Sequence, residues 1–139
     1  MTFYFDHEKL DAYQYALEFT AWTTGIIERL PTKVAARDQL DRATTSAVNN
    51  ICEGNGKFAL RDRRRYFDIA LGSELECAGC LDVLYVRRKI SEEELETGKR
   101  LLQRAVSTLI GLIRSVDRRI GEDGPVYYVD SDAEGFVPQ

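Results

Sequence analysis

The residues of this sequence with the greatest capacity for chemistry are three cysteines and a single histidine. Cys77 and Cys80 form a C-x-x-C pair, a spacing that zinc sites and disulfide oxidoreductases use. The pair lies inside a helical pattern with no strand before it, which argues against a redox fold. A zinc site built on Cys52, Cys77 and Cys80 would need a fourth ligand. The one histidine, His7, lies near the start of the chain, far from these cysteines in sequence. We therefore predict reduced thiols in a core or interface, no metal and no cofactor.

No other residues of the sequence form a catalytic arrangement. His7 has no serine, cysteine or carboxylate partner at a recognisable spacing. Residues 53–57 look faintly like a phosphate loop, but the required spacing is absent and no strand precedes them. Glu-x-x-His pairs, with which helical bundles bind metals, do not occur. The sequence therefore predicts a protein that is not an enzyme.

Basic residues gather at the start of the third predicted helix, where Asp62 is the only acid among them. In a four-helix bundle the end of the fourth helix, with Arg114 and Arg119, reaches the same place. Such a cluster can contact phosphates, and Tyr66 beside it can stack on a base. The candidate nucleic-acid contacts are Lys57, Arg61, Arg63, Arg64, Arg65 and Arg118. The alternative is a solvated face with ion pairs to Asp6, Glu8, Asp11 and Asp117.

The net charge of −4 comes from the end of the chain. Residues 121–139 contain five acidic residues and no lysine or arginine, whereas residues 1–120 hold 18 acids and 19 bases. The sequence thus describes a nearly neutral domain with a basic end and an acidic tail. One hypothesis is that the tail folds back over the basic cluster and screens it from nucleic acid.

Hydrophobic periodicity predicts four helices, over about residues 8–30, 34–53, 60–88 and 91–120. Asp6 is the expected N-cap of the first helix. Residues 54–56, which are Gly-Asn-Gly, are expected to stop the second in a left-handed conformation. Ser91 and Glu94 form a capping box for the fourth.

Short connections favour antiparallel neighbours, so the predicted fold class is all-α, an antiparallel up-down-up-down four-helix bundle. The bundle domain covers residues 1–120. The tail, residues 121–139, is expected to be mostly flexible, although its aromatic run at 126–129 could dock on the bundle or a neighbour.

Helices one and four carry two apolar stripes each, more than a monomeric bundle requires. On helix one the expected core stripe is Leu10, Tyr13, Leu17, Ala21, Thr24 and Ile27. The second stripes predict an oligomer interface, with the candidates Tyr15, Phe19, Trp22, Ile26, Val106, Ile110 and Ile113. On helix three the expected core face includes Leu75 and Tyr85. Gly72 and Gly79 each cost about 1 kcal/mol in a helix relative to alanine, so each is expected to have a packing reason.

Three motif blocks carry a family resemblance. Residues 50–54 (NICEG), after residues 42–46 (RATTS), resemble the N-I-x-E-G signature of the four-helix-bundle family first found inside 23S ribosomal RNA intervening sequences. Residues 66–76 are similar to its F-x-x-x-A-x-G-S-x-x-E stretch, and residues 9–13 fit its opening. The motif residues, which we interpret as structural, are Arg42, Asn50, Glu53, Gly54, Phe67, Gly72 and Ser73. We expect Asn50 and Glu53 to bond to helix three through Arg64 or Glu74.

The resemblance implies an antiparallel four-helix bundle assembled as a homopentamer. One branch of the family, the accessory variability proteins of diversity-generating retroelements, partners a reverse transcriptase and binds nucleic acid through a basic pentamer. The nearly neutral domain and acidic tail of this chain differ from that branch.

The residues and the resemblance together predict a non-enzymatic oligomeric scaffold that binds a macromolecular partner. That partner is RNA or DNA at the basic end, or a nucleic-acid-processing protein. The alternative is a protein-binding adaptor with no nucleic-acid role. We expect a cytoplasmic protein, because no apolar run reaches the roughly 20 residues of a membrane span and the N-terminus lacks the pattern of a secretory signal.

Overall fold

The computed structural model describes residues 2–123, which form four α-helices and no strand. The helices are α1 (Asp11–Arg29), α2 (Ala35–Asn55), α3 (Leu60–Val86) and α4 (Glu92–Asp123), after a short 3-10 helix at Asp6–Lys9. The predicted all-α fold with four helices is confirmed over this range. The tail was predicted for residues 121–139, of which residues 121–123 belong to α4. The predictions of its flexibility, its docking and its screening role fall otherwise on residues 124–139, outside the described part of the chain.

The start of α4 follows the predicted capping box. The backbone N–H of Glu94 donates to Ser91 Oγ at 3.0 Å, and the backbone N–H of Ser91 donates to Glu94 Oε1 at 2.9 Å. Each side chain thus satisfies a backbone donor that the first turn of a helix leaves unpaired. At its other end α4 continues past the predicted end at residue 120, through Gly121 to Asp123, the last described residue.

The predicted N-cap at Asp6 is wrong. Asp6 begins the 3-10 helix, and α1 starts five residues later at Asp11. The carboxylate of Asp6 accepts a hydrogen bond from Asn55 Nδ2 at 3.0 Å. The backbone N–H groups of Tyr4 and Phe5 donate instead to the carboxylate of Glu8. Asp6 therefore ties the chain start to the end of α2.

The predicted left-handed stop of α2 is also wrong. Gly54 and Asn55 remain helical, and Gly56 ends the helix with a right-handed φ of −83°. Gly54 has a packing role: a Cβ there would lie 2.8 Å from the Phe67 ring and 2.9 Å from Tyr66 Cβ. The absence of a side chain lets α3 approach α2 closely where the two helices meet.

Two hydrophobic clusters form the core, and each draws on all four helices. One joins the last half of α1, the first half of α2, the last half of α3 and the first half of α4, around Leu40, Leu81 and Leu84. The other joins the opposite halves of the same helices, around Ile51, Phe67 and Leu109. Helices α1 and α3 each pack on both α2 and α4.

The buried face of α1 lies between the two stripes that the sequence suggested. Its buried residues are Ala12, Ala16, Phe19, Thr23 and Ile26, whereas Leu17, Ala21 and Thr24 are exposed. Helix α1 packs on both α2 and α4, and it therefore buries a face centred between the two stripes. The predicted core stripe of helix one is thus wrong in its rotation about the helix axis.

The same burial corrects part of the predicted oligomer interface. Phe19, Ile26 and Ile113 lie in the core of this chain, each 6% exposed or less, so they cannot face a second copy. Four of the candidates are half-buried: Tyr15, Trp22, Val106 and Ile110.

One face of α3 is apolar and open to solvent. Leu75 is 56% exposed, so the prediction that it faces the core is wrong, and Tyr85 is exposed as well. A Cβ at Gly72 or Gly79 would meet no atom within 4 Å. The packing reason expected for these two glycines therefore does not exist within the described part of the chain.

Candidate nucleic-acid interface

The connection between α2 and α3 is held by Arg63. Its Nε and Nη2 donate to the backbone carbonyl of Lys57 at 3.1 and 2.9 Å. A guanidinium that donates twice to one oxygen fixes the loop relative to the first turn of α3. Arg63 was a candidate phosphate contact, but its Nε and Nη2 groups hold the α2–α3 connection in place.

The ring of Tyr66 contacts two further basic side chains. Lys57 Nζ lies 5.0 Å from the centre of its ring and Arg65 Cζ lies 4.7 Å from it. Both distances are within the range of a cation–π interaction. The sequence suggested that Tyr66 stacks on a base. The structure shows that its ring already carries two basic side chains.

Arg64 joins α3 to α4. Its Nε donates to Asp117 Oδ1 at 2.8 Å, and its Nη1 lies 3.3 Å from Asp68 Oδ1. Asp117 is only 8% exposed, so this ion pair is largely shielded from water. Of the four acids in the alternative interpretation, Asp117 does pair with the basic cluster. Arg64 is consequently a structural residue rather than a free phosphate contact.

The Arg64–Asp117 contact also places the end of α4 beside the start of α3. The exposed basic residues there are Arg61, Arg65, Arg114, Arg118 and Arg119. Arg65 reaches Asp62 only at 4.0 Å, with both side chains more than half exposed, and such a pair contributes little. These arginines retain donors for a ligand.

Phe58 is a residue that sequence reasoning missed. It lies in the α2–α3 connection, directly after Lys57, and is 100% exposed. A large aromatic side chain in a polar loop between a glycine and a cluster of basic residues was the available signal. Phe58 thus offers a free ring beside the cations that Tyr66 holds.

The motif residues form a polar chain between α2 and α3, by a different route from the predicted one. Asn50 Nδ2 donates to the backbone carbonyl of Ser46 at 2.8 Å and to Ser46 Oγ at 3.1 Å. Ser46 Oγ lies 2.9 Å from Ser73 Oγ. Arg64 and Glu74 take no part in this chain. Arg42 and Glu53 are exposed.

The cysteines match the prediction of core thiols. Cys77 and Cys80 are buried and Cys52 is half-buried, all three unpaired. Burial raises the pKa of all three thiols, that of Cys77 to about 12. They therefore stay protonated at neutral pH, a poor state for a nucleophile or a metal ligand. Between residues 2 and 123, no group of three or more His, Cys, Asp and Glu residues could hold a metal ion.

None of the helices in the described range is long and apolar enough to span a membrane. The imidazole of His7 stacks on Phe5 and meets the edge of Tyr13, with ring centres 5.8 and 4.7 Å apart. His7 thus packs the 3-10 helix against α1.

Comparisons with known proteins identify a family and a fold. The sequence model of the 23S rRNA-intervening sequence protein family matches residues 8–111. A crystal structure of a protein of unknown function from the S23 ribosomal protein family of Bacteroides thetaiotaomicron is similar, with a TM-score of 0.70 and 23% identity. The similarity covers 74% of this chain and 95% of that one, and it concerns the fold alone. No curated protein matches the chain.

Proposed function

The chain belongs to the 23S rRNA-intervening sequence protein family, and from that premise we propose that it is a non-enzymatic, self-associating bundle that binds single-stranded nucleic acid. The binding surface is the basic end, which we define as Lys57, Phe58, Arg61, Arg65 and Arg118. The helices run up-down-up-down in this proposal, and the two core clusters, each built from opposite halves of the four helices, support that arrangement.

The observation that carries the proposal is a free aromatic ring among cations whose one ion pair within residues 2–123 is the long, exposed contact between Arg65 and Asp62. Phe58 is fully exposed, while Lys57 and Arg65 are held over Tyr66 beside it. Surfaces that bind single strands combine cations for the backbone with aromatic rings on which unpaired bases stack. A duplex hides the faces of its bases, so Phe58 favours a single strand.

Self-association is proposed through α3 rather than through the stripes of α1 and α4. The exposed face of α3 is small and aliphatic at spacings of three and four: Gly72, Leu75, Gly79, Val83 and Val86. Two helical glycines that pack on nothing within residues 2–123 permit a second helix to approach closely. A homopentamer is the assembly that the family resemblance implies.

The non-enzymatic part of the proposal is supported by the chemistry of the side chains. The thiols are kept protonated by burial, and His7 packs between two aromatic rings. We also propose a cytosolic location, in which buried unpaired thiols stay reduced.

The binding proposal is tested by fluorescence anisotropy with a labelled single-stranded RNA and a duplex of the same length. We expect single-strand binding that weakens between about 50 and about 200 mM salt, because bound phosphates release counterions. Phe58→Ala should weaken single-strand binding about tenfold and leave duplex binding unchanged, since stacking contributes roughly 1–3 kcal/mol per base. Because Phe58 is fully exposed, its loss should not unfold the bundle.

The second candidate function is a protein-binding adaptor with no nucleic-acid role, and the exposed aliphatic face of α3 is the observation that favours it. The anisotropy experiment separates the two functions. Absence of binding to either RNA at about 50 mM salt, where electrostatic affinity is high, contradicts nucleic-acid binding and favours the adaptor.

Self-association is tested by the solution mass from light scattering. We expect an oligomer for the natural chain and a smaller assembly for Leu75→Glu, which puts a charge on the exposed face of α3. Leu17→Glu is the matched control, because Leu17 is 42% exposed on α1 and should leave the mass unchanged. A monomeric natural chain contradicts self-association, and equal effects of the two variants contradict the choice of α3.

A further inference from the structure

Glu74 is a buried acid without a partner. It lies in the middle of α3, is 2% exposed, and neither carboxyl oxygen has a hydrogen-bond partner among the described residues. An ionised carboxylate in such a position loses its hydration and gains nothing in return. Buried polar atoms are nearly always satisfied, so an unpaired one calls for a ligand or a change of charge state.

Glu74 lines a small cavity at the centre of the bundle. All four helices contribute to its wall, including Ala16, Thr20, Thr44, Glu74, Cys77 and Leu102. The volume is about 10 Å³, close to the smallest space that holds one water molecule. The cavity is too small for an organic ligand.

The two threonines supply hydrogen-bond acceptors. Thr20 Oγ1 donates to the backbone carbonyl of Ala16 at 2.7 Å, and Thr44 Oγ1 donates to that of Asp41 at 2.9 Å. Each hydroxyl proton is therefore in use, while each hydroxyl oxygen can still accept. A buried water typically makes about three hydrogen bonds, and this cavity offers three polar partners.

We propose that the cavity binds one water molecule, which accepts a hydrogen bond from the neutral acid of Glu74 and donates to the hydroxyl oxygens of Thr20 and Thr44. The water satisfies the acid proton and joins α1, α2 and α3 at the centre of the core. The remaining carbonyl oxygen of the acid carries no charge, so leaving it unpaired costs far less than burying a carboxylate.

The site makes folding depend on pH. Burial raises the pKa of Glu74 from 4.5 to about 8. Around the cavity, α1, α2 and α4 present no titratable side chain, and α3 adds only the Cys77 thiol, whose pKa of about 12 keeps it neutral. Above pH 4.5 the folded state keeps a proton that the unfolded state releases. The contribution of Glu74 to stability is therefore complete below pH 4.5 and is lost as the pH rises towards 8.

The acid is tested by chemical unfolding of the natural chain and Glu74→Gln between about pH 5 and pH 8. We expect the folding constant of the natural chain to fall relative to that of the variant by about tenfold per pH unit. If the unfolding free energies of the two proteins vary with pH in parallel, Glu74 is not a neutral acid in the folded state.

The natural chain also provides a test without a variant. In a carboxyl NMR titration, one glutamate should titrate at a pH well above that of the others. If every glutamate titrates near the ordinary value, the result contradicts the proposal.

The water is tested by a crystal structure at about pH 6, where a single density peak should lie within hydrogen-bond distance of Glu74, Thr20 and Thr44. An empty cavity would overturn the water site. Thr44→Val keeps the side-chain shape but removes one acceptor, so it should lower stability in the natural chain. Equal destabilisation by Thr44→Val and by Thr45→Val, an exposed neighbour with the same helical bond, contradicts the site.

Discussion

The two ends of the bundle differ in how they use arginine. At the α1–α2 end, Arg29 donates to both carboxylate oxygens of Glu94 at 2.8 and 3.0 Å, and Arg37 donates to the carbonyl of Ile27 at 2.8 Å. The nearby run Arg87–Lys89 is followed by three acids in the first turn of α4. Arg29 and Arg37 thus have acceptors, whereas the run Arg87–Lys89 is exposed and near these acids in sequence only.

The basic end has more cations than acceptors. Arg63 and Arg64 serve the fold through the Lys57 carbonyl and Asp117, whereas Arg61 and Arg118 are exposed and Arg65 lies over Tyr66. Counting arginines in the sequence therefore does not locate a binding surface. The position of acceptors decides which cations remain for a ligand, and only the folded chain shows that position.

Of the variants that test this comparison, Arg64→Ala is expected to have the largest effect on the unfolding free energy. It leaves Asp117 nearly buried without its partner, and removing one member of a buried ion pair costs about 3–5 kcal/mol. Because the Arg64 side chain is 32% exposed, water can partly replace it, and we expect a loss of about 2–3 kcal/mol in unfolding free energy.

The control for this variant is Arg61→Ala, which removes the same charge one turn earlier from an exposed position. Denaturant titration should show a change within about 0.5 kcal/mol for it. If both variants unfold at the same denaturant concentration, Arg64 has no structural role.

A smaller effect is expected from Arg29→Ala at the opposite end. The Arg29–Glu94 pair is partly exposed, so its loss should cost about 0.5–1 kcal/mol, and less at about 1 M salt. Arg29 holds the pKa of Glu94 below its ordinary value of 4.5. The pair therefore stabilises the fold above pH 4.5, and the stability difference between natural chain and variant should shrink as the pH falls below it. A difference that grows in acid contradicts the pairing.

The sequence predicted the helices better than it predicted their faces. Four periodic segments and the Ser91–Glu94 capping box gave the elements to within a few residues, since period and capping are local properties. The buried face of α1 was misplaced because two apolar stripes leave its rotation undetermined until the neighbours are in place. Leu75 was misplaced on α3 because its apolar type alone does not show which face of the helix its neighbours cover.

The role of Gly54 was also mispredicted, because it depends on tertiary contacts. Gly54 was predicted to stop α2 because its type suits a left-handed cap, but it is a contact point for the Phe67 ring. Its close approach to α3 depends on residues 13 positions away in sequence. The pairing of Arg64 with Asp117 depends on α4, and the burial of Glu74 without a partner depends on the packed core. Of these contacts, spacing within α3 encodes only that of Arg64 with Asp68, four residues later.

The central claim, that the basic end binds nucleic acid, is tested most directly by two charge-matched double variants. Arg61→Ala with Arg65→Ala removes two cations from the basic end, and Arg87→Ala with Lys89→Ala removes two from the opposite end. Both lower the net charge by the same amount, so any long-range electrostatic loss is equal. The measurement is the salt dependence of single-stranded RNA affinity. We predict a slope that is shallower by about 1.4 for the basic-end variant, from two lost phosphate contacts, and the natural slope for the other. Equal weakening by both variants, or a larger effect at Arg87 and Lys89, contradicts the account.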